Sequence, residues 1–275
     1  MPAFTVLEVM ASGTVAGTLG AMLGLGGGVF LVPFLVSIVG LPFNEARGIS
    51  LLTVIATSSA VAAINTGKSL INFRLGMMLQ VSTSVGALLG GLTSRYLSEA
   101  MLTLLFAGVM ISIGIVMILR LDKRNVLDVS TDPGPFGGRF FDTQKSKDVA
   151  YRLKRTPLAI AVAFAGGNVS SLLGIGGGVL LVPALNLACG IPIKPAAATS
   201  SFMIGVTAVS AAPIYYGRGD VVPHLAAAAV LGVLVGSAYG MRHSVHMKPR
   251  RLKQLMAIVL FTVASLMLVK LARLS

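Results

Sequence analysis

The chain has 275 residues, of which 55% are hydrophobic and only 11% charged, and its mean hydropathy is +0.88. A water-exposed surface needs about a quarter charged residues, so this inventory excludes a soluble domain and describes a polytopic membrane protein. The net charge of +13 is concentrated: nine basic residues lie between Arg120 and Arg155 and five between Arg242 and Lys253. Basic loops beside apolar runs are the positive-inside signal, which predicts that 121–155 and 242–253 are cytoplasmic and leaves nucleic acid out of the expected partners.

Apolar runs follow one another at 4–23, 29–39, 49–64, 75–92 and 101–119, then at 158–173, 179–188, 196–215, 222–239 and 255–271. A run of about 20 apolar residues crosses a bilayer as a helix, and strand alternation is absent, so the runs are read as helices. The first run starts "MPAFTVLEVM", without a positive n-region and with Glu8, and does not read as a cleavable signal. It leads into "LGLGGGVFLVP" (23–33), then about a dozen apolar residues before Gly40-Leu41-Pro42, a length too short to span. Such a segment predicts a broken or re-entrant helix.

Residues 121–155 are polar, with turn-forming "DPGPFGG" and no helical period. They read as a cytoplasmic linker dispensable for folding, or as a partner-binding segment contacting through Phe136, Phe140 and Phe141. Beyond it the first half recurs. Between 23–50 and 173–200, 14 of 28 positions are identical, including the triple glycines, Pro33/Pro183, Gly40/Gly190 and Ser50/Ser200. Five segments per half, an odd number, place the second half the opposite way up, as the nearly neutral 95–99 loop and its basic counterpart 242–253 also require. The expected fold is all-α: two inverted repeats of five hydrophobic segments, 1–120 and 156–275, joined by the 121–155 linker. Such repeats are typical of secondary transporters. Cys189 is the single cysteine, so no intramolecular disulfide forms.

A break at Gly26-Gly27-Gly28, and its counterpart at Gly176-Gly177-Gly178, would present backbone N–H groups at the start of a half-helix. Helix N-termini carry partial positive charge and bind anions, and two opposed termini would make an anion site without a buried cation. The alternative is that the glycines only permit close helix packing, the reading given to Gly86/Gly90 and Gly236/Gly240. No Asp or Glu lies in the middle of a run, which argues for an anionic or neutral cargo. Ser50, Thr199 and Ser200 are the preferred hydroxyl ligands, with Arg47, Thr53, Asn65 and Tyr215 as secondary candidates. Arg47 faces Ala197 across the repeat and either attracts an anion at one mouth or sits among headgroups. No metal-ligand cluster, cofactor motif or catalytic constellation is present, so an enzyme is not expected; a passive anion channel, a membrane-embedded enzyme and an assembly factor are the rival classes.

The paired "LGLGGGVFLVP" and "LGIGGGVLLVP", followed by "ARGIS" and "AATSS", resemble the TauE/SafE family of sulfite exporters over nearly the whole chain outside the linker. The resemblance implies movement of small sulfur-containing anions, such as sulfite or organosulfonates, across a bacterial-type inner membrane. It maps the family's small-Thr-Ser motif onto Thr199-Ser200, with Ile49 replacing the threonine in the first half.

Overall fold

The computed structural model describes residues 3–65, 70–119, 132–142, 147–244 and 247–274. The first half contains α1 (Ala3–Leu23), α2 (Gly28–Ser37), α3 (Phe43–Asn65), α4 (Phe73–Thr93) and α5 (Glu99–Leu119). The second contains α6 (Thr156–Leu173), α7 (Gly178–Pro183, continued by a π-helical turn over Ala184–Ala188), α8 (Ile193–Gly217), α9 (Pro223–Ser244) and α10 (Pro249–Leu274). Eight of these helices are long and apolar enough to cross a membrane. The two that are not, α2 and α7, follow the triple glycines. At 10 residues, α2 is only about 15 Å long, half a hydrocarbon core.

The halves pack by exchange. Helix α1 lies on α9, α4 on α6, α3 on α8 and α5 on α10, while α2 touches α10 and α7 touches α5. Swapping the two halves turns this set of pairs into itself. In a bilayer, association rests on close van der Waals contact, and glycine supplies it by removing side-chain bulk. A Cβ added at Gly17 would lie 2.8 Å from Val233 Cα, and one at Gly167 would lie 2.9 Å from Thr83 Cα. At Gly236 and Gly90 it would run into the carbonyls of Thr14 and Asn168. The 86/90 and 236/240 glycines thus seat α4 on α6 and α9 on α1.

Loop contacts define two ends of the bundle. At the first, Arg218 donates to Ser94 Oγ at 3.0 Å, and the Asp220 carbonyl lies against Gly48. At the second, the Lys154 N–H donates to the Cys189 carbonyl at 2.8 Å, and the Asn72 N–H donates to Thr199 Oγ1 at 3.0 Å. Helix α3 starts at the first end; its repeat counterpart α8 starts at the second.

The linker is more than a connector. Strands β1 (Gly138–Asp142) and β2 (Lys147–Tyr151) pair antiparallel with Phe140 opposite Val149. Phe140, Val149 and Tyr151 are buried in one cluster with Leu75, Leu79 and Ala196, whereas Phe141 is exposed. Asn72 holds the hairpin from the bundle side. Its Nδ2 reaches the carbonyls of Phe136 and Gly137 at 3.0 and 3.1 Å and the Tyr151 hydroxyl at 3.3 Å, while its Oδ1 caps α4 by accepting from the Leu75 N–H. Burial pushes the Tyr151 phenol above its usual pKa, so it remains neutral. The sequence masked this role because Phe140, Val149 and Tyr151 follow a strand period inside a turn-rich stretch. Phe140→Ala is expected to cost about 3 kcal/mol of stability, read as a lowered Tm of the detergent-solubilised protein, whereas Phe141→Ala leaves Tm unchanged.

Candidate functional site

The two glycine breaks meet. Helix α1 ends where Gly24 (φ +72°) and Gly26 (φ +70°) enter the left-handed region; Gly174 (φ +69°) and Gly176 (φ +67°) end α6 in the same way. Only glycine takes this conformation without strain. A Cβ at Gly24 would lie 2.6 Å from Ala197 Cα, and one at Gly174 would lie 2.8 Å from Arg47 Cα, the repeat counterpart of Ala197. A Cβ at Gly28 would lie 2.7 Å from the Gly174 carbonyl oxygen, and one at Gly178 would lie 2.9 Å from Leu25 Cα and against the Gly24 carbonyl. Each break is therefore seated on the other.

This geometry divides the triplets. Gly24, Gly28, Gly174 and Gly178 are required by packing, as the close-packing alternative holds. Gly27 is not: its φ is −61°, and a Cβ there would meet the Ala16 carbonyl and Thr57 Oγ1 only at 3.5 Å, an ordinary contact. Gly177, at φ +24°, would bring a Cβ no closer than 3.4 Å to any neighbour. All ten residues of 24–28 and 174–178 are buried. Among the described residues, the N–H groups of Gly26, Gly27, Gly176 and Gly177 donate to no carbonyl or side chain.

The hydroxyls around the breaks are not equivalent. Ser50 Oγ donates to the Gly174 carbonyl at 2.5 Å and lies against Gly28. Its counterpart Ser200 is fully buried, and its Oγ has no partner among the described residues. Thr53 donates back to the Ser50 carbonyl at 2.7 Å, which is local helix bonding. Thr199 sits at the second end, accepting from Asn72. The side chain of Asn65 lies outside the described residues.

Arg47 is 2% exposed. Its Nη1 donates to the Leu172 carbonyl at 2.8 Å and its Nη2 to Asn44 Oδ1. The guanidinium carbon lies 5.1 Å from the Tyr215 ring centre, and the Tyr215 hydroxyl donates to the Ser171 carbonyl at 2.6 Å. Arg47 and Tyr215 thus bond the last carbonyls of α6, where a cation also opposes the negative helix end.

Buried polar residues not singled out in the sequence include Ser170, Ser171 and Gln80. Ser170 and Ser171, whose Oγ atoms lack partners, precede the second break, and Ser170 Cβ would be 3.5 Å from a Cβ at Gly177. Gln80 bonds Ser84 and Thr207 at 3.0 and 3.2 Å. The repeat comparison carried the signal, since Ser170 faces Gly20, Ser171 faces Ala21 and Gln80 faces Val230.

The family described as "Sulfite exporter TauE/SafE" matches residues 9–267. A "Probable membrane transporter protein YunE" of Bacillus subtilis (strain 168) is 29% identical over 267 residues, covering 94% of this chain and 95% of its own. A "Probable membrane transporter protein" of Xylella fastidiosa (strain 9a5c) is 26% identical over 238 residues, covering 86% and 84%. No solved structure matches the chain.

The unequal packing of the glycines is directly testable. Gly27→Ala keeps an allowed φ and is expected to insert and fold with a Tm at or slightly above that of the parent, since Gly→Ala at a compatible site adds about 0.4–1 kcal/mol. Gly28→Ala drives a methyl into Ser50 Oγ and the Gly174 carbonyl, and is expected to lose the folded, detergent-soluble form on size-exclusion chromatography.

Proposed function

Because the chain belongs to the sulfite exporter TauE/SafE family and is a membrane transporter, we propose that it moves a small sulfur-containing anion, such as sulfite or an organosulfonate, bound between the two glycine breaks. The observation that carries this reading is the set of buried, unpaired N–H groups at Gly26, Gly27, Gly176 and Gly177. Unpaired backbone donors at membrane depth are costly and persist where a cavity, water or ligand satisfies them. An anion is the ligand that unpaired backbone donors at helix starts favour. The orphaned hydroxyl of Ser170 adds a neutral donor beside the second break, the buried and partnerless hydroxyl of Ser200 on α8 is a further candidate, and tetrahedral or pyramidal oxyanions offer several acceptors to such a set.

Opposed repeats support alternating access around a fixed central site. The opposite starting ends of α3 and α8 favour that arrangement, and the basic 121–155 and 242–253 segments favour a cytoplasmic second end of an inner membrane. In a Cys189→Ser background, single cysteines at Ser98 and Ser244 are expected to label from opposite faces of the membrane; labelling of both from one face removes the inverted arrangement.

The function is tested by flux in proteoliposomes with sulfite, sulfate, thiosulfate and taurine, with and without a pH gradient. Sulfite flux well above that of empty liposomes is expected. The two serines should separate. Ser200→Ala removes a free donor, so affinity falls about two- to tenfold with Tm unchanged. Ser50→Ala strands the Gly174 carbonyl, so its main effect is a loss of about 1 kcal/mol in stability. Unaltered sulfite binding in both Ser200→Ala and a folded Gly27→Ala discards the site.

A further inference from the structure

The breaks are faced by an apolar pair that the transport reading does not yet use. Val54 on α3 and Ile204 on α8 are repeat counterparts, and both are fully buried. A Cβ at Gly26 would meet Ile204 Cδ1 at 2.8 Å and Val54 Cγ2 at 3.4 Å. One at Gly176 would meet Val54 Cγ1 at 2.7 Å, and one at Gly28 would meet Val54 Cγ2 at 3.0 Å. Val54 therefore touches both breaks at once.

Helical spacing gives this contact a context. Val54 lies four residues after Ser50 and three before Thr57, so the three share one face of α3. Ile204 stands in the same relation to Ser200 and Thr207 on α8. Thr57 Oγ1 is 3.5 Å from the Cβ position of Gly27, so this face looks at the break along its length. The first half thus presents hydroxyl, branched aliphatic and hydroxyl in sequence to the paired glycines, and the second half adds Ile204 at the level where the breaks touch. Apolar constrictions of this kind shed water and bar ions until they widen. Valine is stiff at χ1, so Val54 holds a fixed width.

We propose that Val54, together with Ile204, is the constriction that determines which anions pass between the glycine breaks. The inference rests on the proposed anion site and adds to it the group that sets size selectivity. Hydroxyls and N–H groups bind; the aliphatic pair excludes water and bulk. The absence of side chains at Gly26 and Gly176 then has a second cause beyond their positive φ: those positions are filled from across the interface by Ile204 and Val54.

The experiment uses the full chain in proteoliposomes, with sulfite as the small probe and taurine as the larger one. The taurine-to-sulfite flux ratio, equilibrium sulfite affinity and Tm are measured for Val54→Ala, Ile204→Ala and Val54→Thr. In the alanine variants the ratio is expected to rise about tenfold, the scale on which one or two methylenes discriminate substrates, with sulfite affinity within about twofold of the parent. Val54→Thr keeps the shape but is polar, so it should speed both anions and leave the ratio unchanged. If Val54→Ala does not fold, Val54→Thr and Ile204→Ala decide. An unchanged ratio in folded Ile204→Ala together with unchanged rates in Val54→Thr overturns the constriction while leaving the anion site standing. A parent protein that neither binds nor moves sulfite or taurine overturns the anion site, and the constriction with it.

Discussion

The whole architecture depends on backbone meeting backbone where the two halves cross. Gly28 lies against the Gly174 carbonyl, and Gly178 against the Gly24 carbonyl. At that separation no side chain fits, so both glycine strings are fixed by one contact rather than by two independent turns. The contact stops α1 and α6 short of a continuous helix and starts α2 and α7 within the bundle. It also sets α3 and α8 side by side, since each packs its first turns on the other half's break. In lipid, where helices gain no hydrophobic drive against one another, such close van der Waals seating is what holds an assembly together. Glycines on α1, α4, α6 and α9 extend the same principle outward.

The exchange symmetry is near-complete in backbone and broken in chemistry. Gly24 on Ala197 and Gly174 on Arg47 are the same packing event, yet only the second carries a guanidinium. Arg47 bonds the end of α6, and nothing equivalent bonds the end of α1 from position 197. Ser50 donates to the opposite break, and Ser200 does not. The first-half serine is thus bonded across the crossing, while the second-half hydroxyl has no partner among the described residues. A duplicated scaffold can divide labour in this way, because one copy of a contact is enough to hold the crossing.

The fold was largely legible in the sequence because membrane length and glycine pattern are both strong signals. Gaps after about a dozen apolar residues marked α2 and α7, and register-preserving glycines revealed the duplication. What sequence could not separate was glycine from glycine. Within 26–28 the three residues look alike, yet Gly28 is wedged against Ser50 and Gly174, and Gly27 is not wedged at all. Only the neighbour across the interface distinguishes them, and that neighbour lies about 150 residues away in the chain. Arg47 depends on the other half in the same way. A lone arginine near a helix start reads as interfacial, whereas its partners Leu172 and Tyr215 come from the other half. The hairpin was hidden by composition, since its apolar contact is carried by three residues in an otherwise polar stretch.

The two breaches of symmetry also fall at different ends, and this bears on how the ends differ. At the first, Arg47, Tyr215, Arg218 and Ser94 tie α3, α6, α8 and the loop after α4 by polar bonds. At the second, Thr199 replaces the apolar Ile49 and accepts the Asn72 N–H, while Asn72 in turn grips the hairpin. The threonine hydroxyl supplies the acceptor that seats Asn72 at the end where the described hairpin packs. At the equivalent first-half position Ile49 is instead fully buried in the apolar core. Thr199 is thus the point where Asn72, and through it the hairpin, joins the bundle. Ser200, one residue further along the same helix, is fully buried, and its hydroxyl has no partner among the described residues.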